Sequence, residues 1–230
     1  MFLTDIDDRS FRTAEKINEA MARVYAHMGI AVLISMMISY MVGSSPELVQ
    51  FFFTGVMKWV VLFAPLVYIF FVPVLLNAGI GVAGASLVLY SFAALMGLSF
   101  ATIFVVYTLG SVFTAFMGAG VLFGTMSVYG YFTKQSLDSI GKLCFVGLIA
   151  IIIASIINIF IGSTVMQMVI SALAIIIFLG LTAYDTQQIR EDLYENAGSD
   201  VAEVSGALTL YLDFINLFLN LLSLFGVKKD

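Results

Sequence analysis

Charge is the scarcest property of this chain: Asp, Glu, Lys and Arg make up 11% of its 230 residues. A water-soluble domain carries about 25%, because its surface must be hydrated. With 61% hydrophobic residues and a mean hydropathy of +1.07, too little polar surface remains to cover a soluble globule, so the expected solvent is lipid. Cysteine is nearly missing as well. Cys144 stands alone in an apolar run, which excludes a disulfide framework or a cysteine metal cluster within the chain. No basic block is present and the net charge is −5, so nucleic acid is not an expected partner. The first twenty residues lack a basic stretch leading into an apolar core. They read as a polar, partly helical tail rather than a signal peptide.

What the chain has in abundance is long apolar runs. A bilayer core is crossed by about 20 apolar residues of helix. Runs of that order lie at roughly 24–42, 56–76, 80–106, 109–132, 143–162, 165–186 and 205–226. The expected fold is therefore an all-α integral membrane protein of seven transmembrane helices, residues 21–230, behind a polar tail at 1–20. Short links predict antiparallel neighbours, and the long polar stretch QIREDLYENAGSDVAEVSG is expected to be a solvated loop. With the N-terminus inside, seven Lys and Arg fall on inner segments and three on outer ones. That asymmetry places the N-terminus in the cytoplasm. Gly79, Gly81 and Gly84, and Gly118, Gly120 and Gly124, are expected to let helices approach closely. Pro65 and Pro73 are expected to kink or locally open the second span.

Ionisable groups inside a membrane are costly and point to function. Two stand out. Asp213 lies roughly 13 Å along the last helix, and Asp185 sits near the inner end of the sixth, in GLTAYDTQQ. Thr209, Asp213, Asn216, Asn220 and Ser223 follow at steps of four, three, four and three, which puts them in one stripe of the last helix. A polar stripe must face protein or water rather than lipid, so the last helix is expected at the centre of the bundle, surrounded by the other six. The stripe is either a buried hydrogen-bond seam or the lining of a proton or cation pathway, with Thr209, Asn216 and Asn220 on its wall. If helices six and seven are neighbours, Asp185 and Asp213 share a low-dielectric site and titrate as a coupled pair. No resident cofactor is expected. His27, Trp59, Tyr129 and Tyr131 read as interfacial residues. Tyr90, Ser91, Ser99, Thr102, Ser155 and Asn158 read as bonds between helices.

The segments GLTAYDTQQI and GALTLYLDFINLFLNLLSLFG closely resemble the hallmark segments of the Bax inhibitor family, also called transmembrane Bax-inhibitor-motif proteins. LMGLSFATIFVVYT and MGAGVLFGTMSVYGYFTKQSL are similar to that family too. The resemblance runs from about Met21 onward, and the compact loops look like a bacterial inner-membrane member. It implies a seven-helix fold with the last helix central, and a pH-sensitive calcium leak controlled by Asp185 and Asp213. In some members a basic residue at the inner end of the second helix latches onto the aspartate of the sixth. The corresponding VPVLLNAGIGVAG holds no Lys or Arg, so Arg190 or Lys142 is the candidate substitute. Some bacterial relatives instead regulate a membrane-bound protease, a non-conducting role. A third class, the intramembrane aspartyl protease, shares the Tyr184-Asp185 pair. It wants Gly-x-Gly-Asp where this chain has Leu210-Tyr211-Leu212-Asp213, so no enzymatic activity is expected.

Overall fold

The computed structural model describes the backbone of residues 2–76, 78–195 and 200–229, and side chains over 14–76, 78–195 and 201–229. Among these residues the chain forms nine helices: α1 (Phe2–Gly43), α2 (Pro46–Phe53), α3 (Met57–Leu76), α4 (Gly81–Ser99), α5 (Ala101–Val106), α6 (Leu109–Phe132), α7 (Asp138–Ile161), α8 (Thr164–Glu195) and α9 (Asp200–Phe225). Seven segments are long and apolar enough to cross a membrane, with α4 and α5 forming one of them. The short α2 starts under an N-cap at Ser45, whose hydroxyl accepts from the Leu48 amide. Helix α7 ends on Gly162 in the left-handed region, φ 68°, which turns the chain directly into α8.

Three expectations need correction. The polar stretch from Gln188 is helical on both sides of residues 196–199, which lie outside the described residues. Helix α8 continues to Glu195 because its residues are good helix formers and because Ile189 and Leu193, four apart, are buried against the bundle. Nor is its acidic content wholly solvated, since Glu203 is buried. At the other terminus the polar tail is not separate from the first span: α1 is one continuous helix from Phe2 to Gly43.

Helix α9 is central, as the polar stripe requires, yet it packs against four helices rather than six: α1, α4, α6 and α8. More than half of its apolar window, 56%, is buried, against 6% for α7, which packs on α8 at the edge of the bundle. Tyr211, fully buried on α9, ties three helices together. Its hydroxyl pairs with Ser35 of α1 at 2.7 Å, and Ser35 donates to the Ala93 carbonyl of α4 at 2.8 Å. In a membrane these polar bonds and close packing replace the hydrophobic effect as the force between helices.

The glycines that make close packing possible differ from the expected ones. Gly79 and Gly81 have positive φ and shape the turn before α4, while a methyl group on Gly120 or Gly124 would meet open space. Close approach occurs instead at Gly130, where a Cβ would strike the Ala183 carbonyl of α8. It recurs at Gly97, which faces the Ser35 backbone of α1. Helix α3 passes through Pro65 and Pro73 without a break. Proline removes the bond to the carbonyl four residues back, and at Pro65 that orphan, the Val61 carbonyl, accepts the Ser99 hydroxyl of α4 at 2.6 Å.

Candidate functional site: an oxygen-lined cavity beside a carboxyl pair

Helices α8 and α9 run antiparallel, which brings Asp185 and Asp213 to one level. The two side chains border one cavity. Two carboxylates that meet in a low-dielectric site repel, and a proton taken up by one allows a hydrogen bond to the other. Asp213 is 4% exposed, and no nitrogen or hydroxyl donor reaches its Oδ2 among the described residues.

The gap between peripheral α7 and central α9 is a cavity of about 790 Å³. Asp185, Asp213, Thr209, Asn216 and Asn220 all border it, together with Ser155 and Lys142 of α7. On α7 its wall runs from Gly141 to Ser155, roughly 21 Å of helix against a hydrocarbon core of about 30 Å.

The neutral polar side chains on this wall share one arrangement. Asn216 Nδ2 donates to the Leu212 carbonyl and Asn220 Nδ2 to the Asn216 carbonyl, each at 2.8 Å. The Thr209 hydroxyl donates to Ser205 at 3.3 Å and the Ser155 hydroxyl to Ile151 at 2.7 Å. A backbone carbonyl can only accept, so each hydroxyl spends its single hydrogen on its own helix and offers lone pairs to the cavity, while each asparagine keeps its side-chain oxygen and a second N–H. With two carboxyls added, the wall is rich in oxygen, the ligand type that cations such as Ca2+ take, and Lys142 is its one basic group.

Beyond Asn220 the polar track continues but is closed. Ser223 of α9 accepts from Ser171 of α8 at 3.1 Å, and Gln167 reaches both, at 3.4 Å to Ser171 and 3.5 Å to Ser223. Gln167 also accepts from Asn158 of α7 at 3.3 Å, and Asn158 accepts the Ser163 amide in the α7–α8 turn. This seam reaches the membrane face opposite the N-terminus. Gln167 and Ser171 escaped the sequence reading because each is a lone polar residue in an apolar helix. Their i, i+4 spacing opposite the α9 stripe was the available signal.

The two candidate latches part company. Arg190 points away from Asp185: its guanidinium donates to the Tyr131 carbonyl at 2.5 Å and lies over the Tyr131 ring. Lys142 borders the cavity with Asp185, but no ion pair joins them among the described residues. His27 is remote, paired with Tyr90 of α4 at 2.7 Å. The buried Glu203 at the start of α9 takes a two-pronged bond from Arg23 of α1, Nε–Oε2 and NH2–Oε1 both 2.7 Å. No cluster of three or more His, Cys, Asp or Glu able to hold a metal occurs among the described residues.

Residues 17–230 match the family described as Inhibitor of apoptosis-promoting Bax1. Inner membrane protein YbhL of Escherichia coli K12 is 35% identical over 216 residues, covering 91% of this chain and 92% of its own length. The YrjE protein of Lactococcus lactis is 35% identical over 223 residues, covering 93% of each chain. A match over almost the whole length, shared with an inner membrane protein and carried by a bundle with seven apolar spans, leads to one conclusion: this chain belongs to the Bax inhibitor family of membrane proteins.

Proposed function

We propose that the protein is a cation leak of the inner membrane, calcium among its cargo, whose conduction is set by the proton shared between Asp185 and Asp213. The observation that carries this reading is the cavity wall, where the oxygen-bearing side chains of Thr209, Ser155, Asn216 and Asn220 border the same space as the two carboxyls. While the proton is held, the pair carries a single negative charge and is a hydrogen-bonded strut between α8 and α9. When it is lost, two like charges face each other at low dielectric and repel, which favours separation of the helices and entry of a cation between them. Calcium takes six to eight oxygens, and the wall supplies carboxylate, amide and hydroxyl oxygens with water completing the shell. Lys142 at the same cavity is the basic group nearest this role on α7, in place of one on the second span. The lysine and arginine distribution supports an N-terminus in the cytoplasm, so the cavity opens inward and the Gln167–Ser171–Ser223 seam is the outer barrier.

That barrier also favours a second reading: a non-conducting sensor whose α8–α9 separation is read by an integral partner such as a membrane-bound protease. Calcium flux in proteoliposomes across a pH series separates the two. A leak that rises with pH in wild type, and is independent of pH in both Asp185→Asn and Asp213→Asn, supports conduction. Correctly inserted protein with no flux above empty liposomes refutes it and leaves the sensor.

A further inference from the structure

On the face opposite the N-terminus, α1, α5, α6 and α9 enclose a second space that the carboxyl pair does not reach. It is an apolar groove of about 500 Å³, walled by methionine and phenylalanine side chains, Met36, Phe104, Phe113 and Phe214 among them. This volume lies within the range of about 300–1,000 Å³ typical of small-ligand sites. Its rim, at Met37, Tyr40 and Phe113, is exposed toward the surrounding lipid, while Phe214 and Ile215 of α9 close its floor.

One polar atom in this groove is out of place. Ser39 borders it, is 3% exposed, and its hydroxyl has no hydrogen-bond partner. Other helical hydroxyls here, such as those of Ser91, Ser155 and Thr182, donate to the carbonyl four residues back. Ser39 does not, and a buried unsatisfied donor is costly. An acceptor from outside the protein would satisfy it.

Depth and charge identify that acceptor. Ser39 lies four residues before the end of α1, about 6 Å along the axis, next to Tyr40, an aromatic of the kind that marks the membrane interface. This is the level at which the ester carbonyls of glycerolipids lie. The Tyr40 ring meets Phe104 edge-on at 5.5 Å, and the Phe104 carbonyl holds the Lys229 ammonium at 2.6 Å. Lys229 is fixed there because the segment after α9 pairs with the α5–α6 turn: its amide donates to Val106, and Lys228 bridges to Tyr107. An exposed lysine, Lys229, thus stands beside an apolar groove that contains an unpaired hydroxyl.

We propose that this groove binds one anionic glycerophospholipid, with an acyl chain between α1 and α6, an ester carbonyl accepting from Ser39, and the phosphate facing Lys229. The test is native mass spectrometry of the full chain in mild detergent, supplied equally with an anionic and a zwitterionic phospholipid of identical acyl chains. One anionic lipid retained per chain in preference to the zwitterionic one is the expected result. Ser39→Ala lowers retention about fivefold through the lost hydrogen bond, and Ser39→Leu, which fills the groove, abolishes it. Lys229→Gln, on the exposed terminal segment, keeps the lipid but removes the headgroup preference, and it reads the proposal even where Ser39→Leu does not fold. Equal retention of both lipids by wild type, retention unchanged by Ser39→Ala, or a headgroup preference unchanged by Lys229→Gln, overturns it.

Discussion

The bond between Arg23 and Glu203 yields an asymmetric stability prediction. The contact is two-pronged, both distances 2.7 Å, and it fastens α1 to the beginning of α9. The partners differ in exposure: the Arg23 side chain is 52% exposed and that of Glu203 is 5%. Removing the arginine, as in Arg23→Met, strands a carboxylate that cannot reach water. Breaking a buried pair in that way costs about 3–5 kcal/mol, and the half-exposed position of Arg23 moves the expectation to the low end, about 3 kcal/mol. Glu203→Gln keeps an acceptor oxygen in place and strands no charge in the interior, so the expected loss is about 1 kcal/mol. The double variant Arg23→Met, Glu203→Gln leaves no buried charge. It is expected to lose only about 1 kcal/mol, giving a coupling of about 3 kcal/mol in the double-mutant cycle. Unfolding in mixed micelles, with the mole fraction of a denaturing detergent as the variable, measures all four proteins. A Glu203→Gln loss equal to or larger than that of Arg23→Met, or strictly additive single effects, would refute the reasoning.

Two further outcomes can be checked on the same preparations. Gly130→Ala drives a methyl group into the Ala183 carbonyl, where backbone meets backbone, and is expected to destabilise by about 1–3 kcal/mol. Gly124→Ala, facing open space on the same helix, should stay within about 0.5 kcal/mol, so the order of the two melting temperatures is the readout. Gln167→Ala removes the side chain that links Asn158, Ser171 and Ser223. If this seam is the outer barrier to conduction, calcium flux in liposomes rises several-fold at fixed pH. Unchanged flux would place the barrier elsewhere.

Much of the site could be read before any coordinates. Asp213 announced itself because a carboxylate in an apolar helix has so few permissible environments. The spacing of Thr209, Asn216 and Asn220 then followed from helical geometry alone, and all three border the cavity together with Asp185. The pairing of Glu203 with Arg23 could not be read, since 180 residues separate the partners and each looks like an ordinary surface charge. The same holds for Ser39, whose peculiarity is a missing bond, visible only once every neighbour is placed.

The sequence by itself determined the solvent, the seven spans and the face of α9 that carries polar groups. These depend on the transfer of each residue between water and lipid and on a fixed rotation per residue, both local properties. Tertiary structure alone decided which helices touch: that α7 stands away from α9 and leaves a cavity, that Gly130 and Gly97 rather than Gly120 and Gly124 carry the close contacts, and that Asp185 and Asp213 border one cavity. Those outcomes depend on the relative rotation and offset of helices far apart in the chain. In lipid, where every helix is already apolar, packing shape and a few interhelical hydrogen bonds set that arrangement, not hydropathy.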